Sequence, residues 1–379
     1  MTTEQQTELL AEPKEVDVVA IERELTTLWK EAGVSGSDAA APIVRACALN
    51  FLVITDDEHR LDPLAEMAGE VTVEHPARIF LIATGREAAR PQLDAWISAR
   101  CTLPVPGAKQ VCCEQINLIA SGTETQKIPS IVTSLLVPDV PTVVLWKSRV
   151  DAHDAVLREL AGIADRILMD SSDDVSPVRS MVAWESFLRA YPHTTFGDLA
   201  WTHLTPWRSV VANAFNPLEM RAQLERISSL TLAYSSSVDP PHSGLSQALL
   251  FTAWMAQKLG WVTIKPFSAK GDGNVAELRC GAQTVGVSLV PVSPRENFPG
   301  AIESVAVGTN TNATLTFAAT AHAHCVRLTK RLDASTSDEM VTVMSDKSEA
   351  MLVAQELEVV RRDAGYESVL KKLMELLNA

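Results

Sequence analysis

The sequence predicts an α/β chain: a helix-covered mixed sheet in the N-terminal part, then an α+β domain with a largely antiparallel sheet that ends in helices. Three observations carry this. LNFLVIT (49–55), ARIFLIAT (77–84) and TVVLW (142–146) are apolar almost throughout and are separated by helical stretches, the pattern of strands buried on both faces. After Trp261 the texture changes to short alternating runs, VAELRCG, TVGVSLVP, ESVAVGT and NATLTFAAT, punctuated by Gly, Asn and Pro. At 379 residues, 46% of them hydrophobic and 21% charged, the chain is long enough for more than one core.

Residues 1–39 are expected to form an acidic arm and one amphipathic helix. In VVAIERELTTLWKEAG, Val19, Leu25, Leu28 and Trp29 fall on one stripe and Gly33 is a stop, behind a mobile first dozen residues. Residues 40–172 form the α/β domain. APIVRAC reads as a helical segment running into strand Leu49–Thr55, and LDPLAEMAGEV as a helix before the second strand. LDAWISARCTL and KQVCCEQINLIASG alternate on either side of PVPG, an antiparallel hairpin. IPSIVTSLL and HDAVLRELAGIA are helices flanking TVVLW, and DRILMDS is a fourth strand.

Residues 173–379 form the α+β domain. It opens with a helix around Pro177–Ala190. Thr205 is placed as an N-cap with Pro206 at the first helical position. That helix stops at Asn216, which caps a second one, with Pro217 first and Glu219 completing a capping box. SGLSQALLFTAWMAQKLGW is a strongly apolar helix, and charged helical stretches run over 338–379.

Composition excludes several functions. A net charge of −14, with no Lys/Arg run longer than two, argues against nucleic acid as a partner. No apolar run is long enough for a membrane span: Ile131–Trp146 is broken by Ser134, Pro138, Asp139 and Pro141. MTTEQQTELLAEPKE has neither a basic n-region nor an apolar h-region, and six cysteines in so long a chain read as reduced thiols, so the expected location is cytoplasmic.

Signals for chemistry are weak. KGDGN (270–274) begins a Gly-x-Gly-x-x-Ala match, but VAELRCG after it alternates as a strand does, so a hairpin turn is the better reading and no cofactor is expected. AHAHC puts His322 and His324 on one strand face, two ligands where a metal site needs three or four. Cys112 and Cys113, adjacent in a strand, point to opposite faces; with Cys101 on the paired strand they are the redox candidates. There is no Gly-x-Ser-x-Gly, and GTETQK (122–127) lacks the second glycine of a P-loop. No catalytic residue is assigned.

Four phrases, QVCCEQINLIASG, SLLVPDVPTVVLW, DLAWTHLTPWRSVVANAF and AWMAQKLGW, in this order between about Val44 and Trp261, resemble the OpcA family, the glucose-6-phosphate dehydrogenase assembly proteins. One departure is Lys147 after Trp146, where relatives are richer in aromatics. The resemblance implies a non-enzymatic accessory protein whose partner is glucose-6-phosphate dehydrogenase, with a thiol-redox protein such as thioredoxin as a further partner. It makes Pro138, Asp139, Pro141, Trp146, Trp201, Trp207 and Arg208 the candidate contact residues. Read physically, Pro138 and Pro141 bias Val137 and Val140 away from helix, making a stiff connector that holds Asp139 in a turn. Trp207, Val210, Val211 and Ala214 share a helical face, a core reading; Arg208 points elsewhere, to pair with Asp198 or Asp139 or to meet the partner. Two rival readings stay open: an enzyme site around His203, Asp198 and Arg208, or a small-molecule sensor at the carboxyl ends of the first domain's strands.

Overall fold

All seven side chains of Leu49–Thr55 and all five of Thr142–Trp146 are buried in the computed structural model of the chain, as apolar strands covered on both faces must be. The structure describes residues 7–378 except 11–13, 16–17, 36–42, 86–90, 103–109, 175, 239–240, 295–300, 312, 321–324, 332–336, 344–346 and 360. The chain divides into two compact units, Met1–Met169 with Leu188–Gly197 and Ser348–Arg362, and Asp170–Phe187 with Asp198–Lys347 and Asp363–Ala379.

The first unit is built on a mixed sheet. Its middle strands run in the spatial order Gln110–Ser121, Ala77–Gly85, Leu49–Thr55, Thr142–Trp146, Arg166–Met169, all parallel. Gln92–Thr102 lies antiparallel beside Gln110–Ser121, the expected hairpin; its PVPG turn falls outside the described residues. Helices Leu61–Glu74, Ile128–Leu135 and Ala155–Ala161 bury apolar stripes such as Leu64, Ala68 and Val71.

The N-terminal part departs from expectation. Thr7–Leu10 and Lys14–Glu15 add strands to Gln92–Thr102. Helix Val18–Ser35 buries Ile21 and Leu25 while Val19 is 57% exposed, so the buried stripe is rotated from the one expected; the side chains of Leu28 and Trp29 lie outside the described residues. Ile43–Arg45 is a strand parallel to Gln110–Cys112, not a helix, because two β-branched residues meet a free ladder.

The second unit carries a sheet ordered Val262–Lys270, Gly273–Cys280, Gln283–Val292, Ile227–Val238, Ile302–Thr309, Thr314–Ala319, Cys325–Arg331, Ser337–Val343. Only the pairing of Gln283–Val292 with Ile227–Val238 is parallel among these described neighbours. Helices Gly244–Lys258 and Ala364–Leu377 pack on each other and on this sheet. Three local expectations change. Thr205 lies inside its helix, with Leu204 at the cap. Pro217, not Asn216, caps the short helix Leu218–Arg221. Ser337–Val343 is an edge strand rather than helix, since Val341, Thr342 and Val343 favour the extended state and Cys325–Arg331 offers them a ladder.

The first unit closes on a buried charge pair. Arg166 and Glu356 form an ion pair with side chains 5% and 8% exposed. Arg166 also donates to the Val359 carbonyl at 3.2 Å. Gly197 makes room for it: a Cβ there would sit 2.7 Å from Glu356 Oε2 and 3.0 Å from Arg166 Nη2. Removing one partner of such a pair strands a charge in low dielectric, whereas replacing both with apolar groups does not. Glu356→Leu should therefore lower stability by about 3–5 kcal/mol, and Arg166→Met with Glu356→Leu should recover most of it. Urea denaturation of the three proteins checks this; a double variant as unstable as the single would refute it.

Candidate functional site

Asn50 puts an amide into an otherwise apolar stretch of strand, and it is fully buried. Its Nδ2 donates to the Val137 carbonyl at 3.0 Å, and its Oδ1 accepts the Val137 N–H at 2.9 Å. On the same stretch, the Asn50 N–H bonds the Pro141 carbonyl at 2.8 Å and the Thr142 N–H bonds Asp165 Oδ2 at 2.8 Å. The connector from 137 to 141 is thus tied at both ends, and between the ties Pro138, Asp139 and Pro141 are exposed. Helix Ile128–Leu135 ends at Leu136, whose extended ψ of 140° breaks the helix before Pro138. Asp139 takes φ 61°, a left-handed conformation that Asp tolerates better than bulkier residues. Arg78, itself 4% exposed, adds a third tie: it donates to the Leu135 carbonyl at 2.6 Å and pairs with Glu114 at 2.8 Å. The result is a rigid, exposed turn at the amino ends of the parallel strands, opposite the end where open α/β sheets hold ligands. Trp146 is 1% exposed within its strand and offers no surface of its own.

At the carboxyl ends, the strand order reverses direction between Leu49–Thr55 and Thr142–Trp146. This is the switch point at which such folds bind small molecules. Here Lys147, 3% exposed, points its ammonium at Glu349 Oε1, 2.7 Å away. Asp57 turns back on its own chain, accepting from the His59 N–H at 3.0 Å. This buried cation is therefore matched by a carboxylate from helix Glu349–Leu357.

In the second unit, Trp201 and Arg208 come together. The Arg208 guanidinium carbon lies 3.4 Å from the centroid of the Trp201 ring, a cation–π stack. Trp201 Nε1 donates to Asp363 Oδ2 at 3.0 Å, and its ring meets Tyr366 at 6.0 Å. Burial lowers the Arg208 pKa to about 10, opposed by the Asp363 charge. The carboxylate acting on Arg208 is thus Asp363, not the expected Asp198 or Asp139. Trp207 is 5% exposed and belongs to the core, with Val211 beside it on the same face. Asp198 is fully buried; its Oδ1 accepts from the N–H groups of Ser171 at 3.1 Å and Ala200 at 3.0 Å, and Tyr366 Oη lies 3.5 Å from Oδ2. Burial, reinforced by the neighbouring Asp170 charge, raises its pKa to about 7 despite those donors. His203 meets Gln247 across 3.0 Å. These groups cap helices and tie turns, the work of a scaffold.

Cys112 is disulfide-bonded, a departure from the expectation of reduced thiols; the antiparallel register places Cys101 directly opposite it. Cys113 is free and 3% exposed, and burial raises its pKa, so it stays a thiol at neutral pH. The glycines of KGDGN make a hairpin turn, with Gly271 at φ 59° and Lys270 paired to Gly273. Among the described residues no cluster of three or more His, Cys, Asp or Glu could hold a metal; His322 and His324 lie outside them. Sequence reasoning missed Asn50, Arg78, Asp363 and Tyr366. The first was signalled by a lone amide inside an apolar run, the third by its position as a helix cap before AGYE.

Comparison with known proteins supplies what the geometry does not. Residues 68–186 match the family model described as the glucose-6-phosphate dehydrogenase subunit N-terminal domain, and residues 194–370 the corresponding C-terminal domain. The chain is 30% identical over 218 residues to an OxPP cycle protein OpcA of Synechococcus elongatus, covering 57% of this chain and 46% of that protein. It is 24% identical over 322 residues to the protein of the same name from Synechocystis, covering 82% and 66%. The chain thus spans about half to two thirds of the length of these relatives. A solved NAD binding oxidoreductase from Klebsiella pneumoniae aligns over 88% of this chain and 98% of its own, at 10% identity and a TM-score of 0.46, too distant to carry an argument.

The buried Asp198 sets a pH dependence. Its folded pKa of about 7 lies above the unfolded value of about 3.9, so between them the folded state holds a proton that the unfolded state has lost. Its contribution is greatest below pH ~4 and is lost as pH rises to ~7, at up to about 1.4 kcal/mol per pH unit. Asp198→Asn keeps both N–H acceptances and cannot ionise, so its stability relative to the parent should rise between pH 5 and pH 8 in urea titrations. Parallel curves would refute the assignment. Arg208→Ala should cost about 1–2 kcal/mol through the lost stack and shift tryptophan emission as Trp201 becomes wetter; unchanged emission at unchanged stability would count against the stack.

Proposed function

Because the chain belongs to the OpcA family, we propose that it is an accessory protein that binds glucose-6-phosphate dehydrogenase, promotes its assembly or activation, and transforms no metabolite itself. The observation that carries this reading is the pair of family matches, which together run through both halves of the chain. The relatives' name places them in the oxidative pentose phosphate cycle, so the proposed outcome is NADPH supply. Two structural features agree with it. The turn at Pro138, Asp139 and Pro141 is exposed yet fixed by Asn50 and Arg78, and a preformed surface loses little conformational entropy on docking. The cation at the sheet's switch point, Lys147, is already matched by Glu349. A small anion at that point is the rival reading, favoured by the burial of Lys147, and it requires Glu349 to leave.

The experiment is to mix the purified chain with its cognate dehydrogenase and follow NADPH formation and complex size, with and without reductant to test Cys101, Cys112 and Cys113. Faster turnover or a larger complex is expected; an enzyme indifferent in both would refute the proposal. Within the same assay, Asp139→Asn, which keeps the left-handed turn and removes only the charge, should raise the half-activating concentration at least about tenfold, as for a contact worth ~1.4 kcal/mol, with the melting temperature unchanged. An unchanged half-activating concentration would remove the turn as the contact.

A further inference from the structure

The sheet of the second unit has two unlike faces. One is lined by helices Gly244–Lys258 and Ala364–Leu377 and presents large apolar side chains, Leu230, Leu232, Val287, Leu289, Val305 and Val307, all at most 1% exposed. The other carries the alternate residues. In register across six adjacent strands, one row reads Val275, Ser288, Thr231, Ala306, Thr316 and Thr329. The next row reads Val290, Ala233, Ser304 and Ala318, and the row on the other side Gly286, Ser229, Gly308 and Thr314. Every one of these side chains is half-buried or exposed, and none of them is charged, in a chain of net charge −14. Charges flank these rows: Lys265 paired with Glu277 at 2.8 Å on one side, Arg327, Arg331 and Glu339 on the other, and Glu303, which accepts from Ser235 at 2.9 Å, beside the row of Ser304. Val290 at 41%, Val292 at 39% and Val341 at 58% exposure put further apolar surface on this face.

The outer face of a solvated sheet is ordinarily polar, and half of these residues are Ser or Thr; what sets the face apart is that its central rows hold no charge and mix hydroxyls with Ala, Gly and Val, the depletion of charge found at the centre of contact surfaces. We propose that this face is a self-association surface, on which two copies of the chain stack sheet to sheet about a two-fold axis. Three arguments select a second copy as the occupant. A two-fold contact must be self-complementary, and a flat face of Ala, Gly, Ser, Thr and Val needs no patterned partner to match it. Acidic molecules repel one another, and the central rows of this face are where they can approach without bringing carboxylates together. The size also fits: eight strands spaced about 4.8 Å apart and roughly seven residues long give on the order of 900 Å² per copy, against about 800 Å² for a stable interface.

Sedimentation velocity on the full chain alone, with no dehydrogenase present, tests this. The wild type should run as a dimer of the 41.1 kDa chain at micromolar concentration, and Ala306→Arg, at the centre of the face, should run as a monomer with unchanged circular dichroism and melting behaviour. Thr231→Lys on the adjacent strand is the second variant should the first fail to fold. A wild type that is monomeric at these concentrations overturns the proposal, including the case in which the face is covered only when the dehydrogenase is added. So does a folded variant that remains dimeric. Activation of the dehydrogenase is read separately and can survive either result.

Discussion

The first unit depends on one side chain meeting one peptide. Asn50 uses its amide as a surrogate backbone, accepting the Val137 N–H and donating to the Val137 carbonyl. In a strand buried on both faces such an amide would be costly without partners, and the Val137 peptide would be equally costly if a bare apolar side chain stood there. Each satisfies the other. The pairing fixes where the chain leaves helix Ile128–Leu135 and hence the register at which Thr142–Trp146 enters beside Leu49–Thr55. A slip of one residue would turn Val144 and Trp146 to the wrong faces. The two prolines cooperate by fixing their own φ and biasing Val137 and Val140 away from helix, which stiffens the connector between the ties.

Elsewhere the polar groups that resemble catalytic parts are spent on architecture. Asp198 has the burial and the raised pKa of an active-site acid, yet its acceptances go to N–H groups at the starts of two helical turns. Arg208 has the neighbours of an interface anchor, but its guanidinium lies on Trp201 within the same unit. Lys147 is a buried amine at the position where a parallel sheet would present one to a ligand, and a carboxylate of the same unit faces it. Perturbed groups point to function only when something is left for them to act on.

What could be read from the sequence follows from how local each cause is. The parallel strands were legible because their apolar runs need only burial to explain them, and the hairpin at KGDGN because glycine supplies its positive φ directly. Ile43–Arg45 and Ser337–Val343 were not, since each becomes a strand by virtue of a free ladder supplied by a distant segment. Likewise, the exposed stripe of helix Val18–Ser35 depends on the helix and sheet it packs against. At the candidate site, the stiffness of the Pro138–Pro141 turn was legible from its prolines, while the ties from Asn50 and Arg78 were not. Those come from residues 57 and more positions away, and no periodicity records them. The carboxylate that acts on Arg208 is hidden for the same reason: neither Asp198 nor Asp139 but Asp363 faces it, more than 150 residues further along the chain.

The segment that supplies Glu356 also has a consequence for biosynthesis. Helix Glu349–Leu357 packs on helix Leu61–Glu74 and buries Leu352 and Val353, but it emerges from the ribosome almost three hundred residues after that helix. Until then Arg166 and Lys147 have no counter-ions from this segment, and the flank of the earlier helix is uncovered. Vectorial folding, in which an N-terminal domain is finished before its successor begins, is the usual order for multidomain chains. Here the first unit is completed nearly last, so the nascent protein must carry an unfinished, chaperone-accessible flank through most of its own translation.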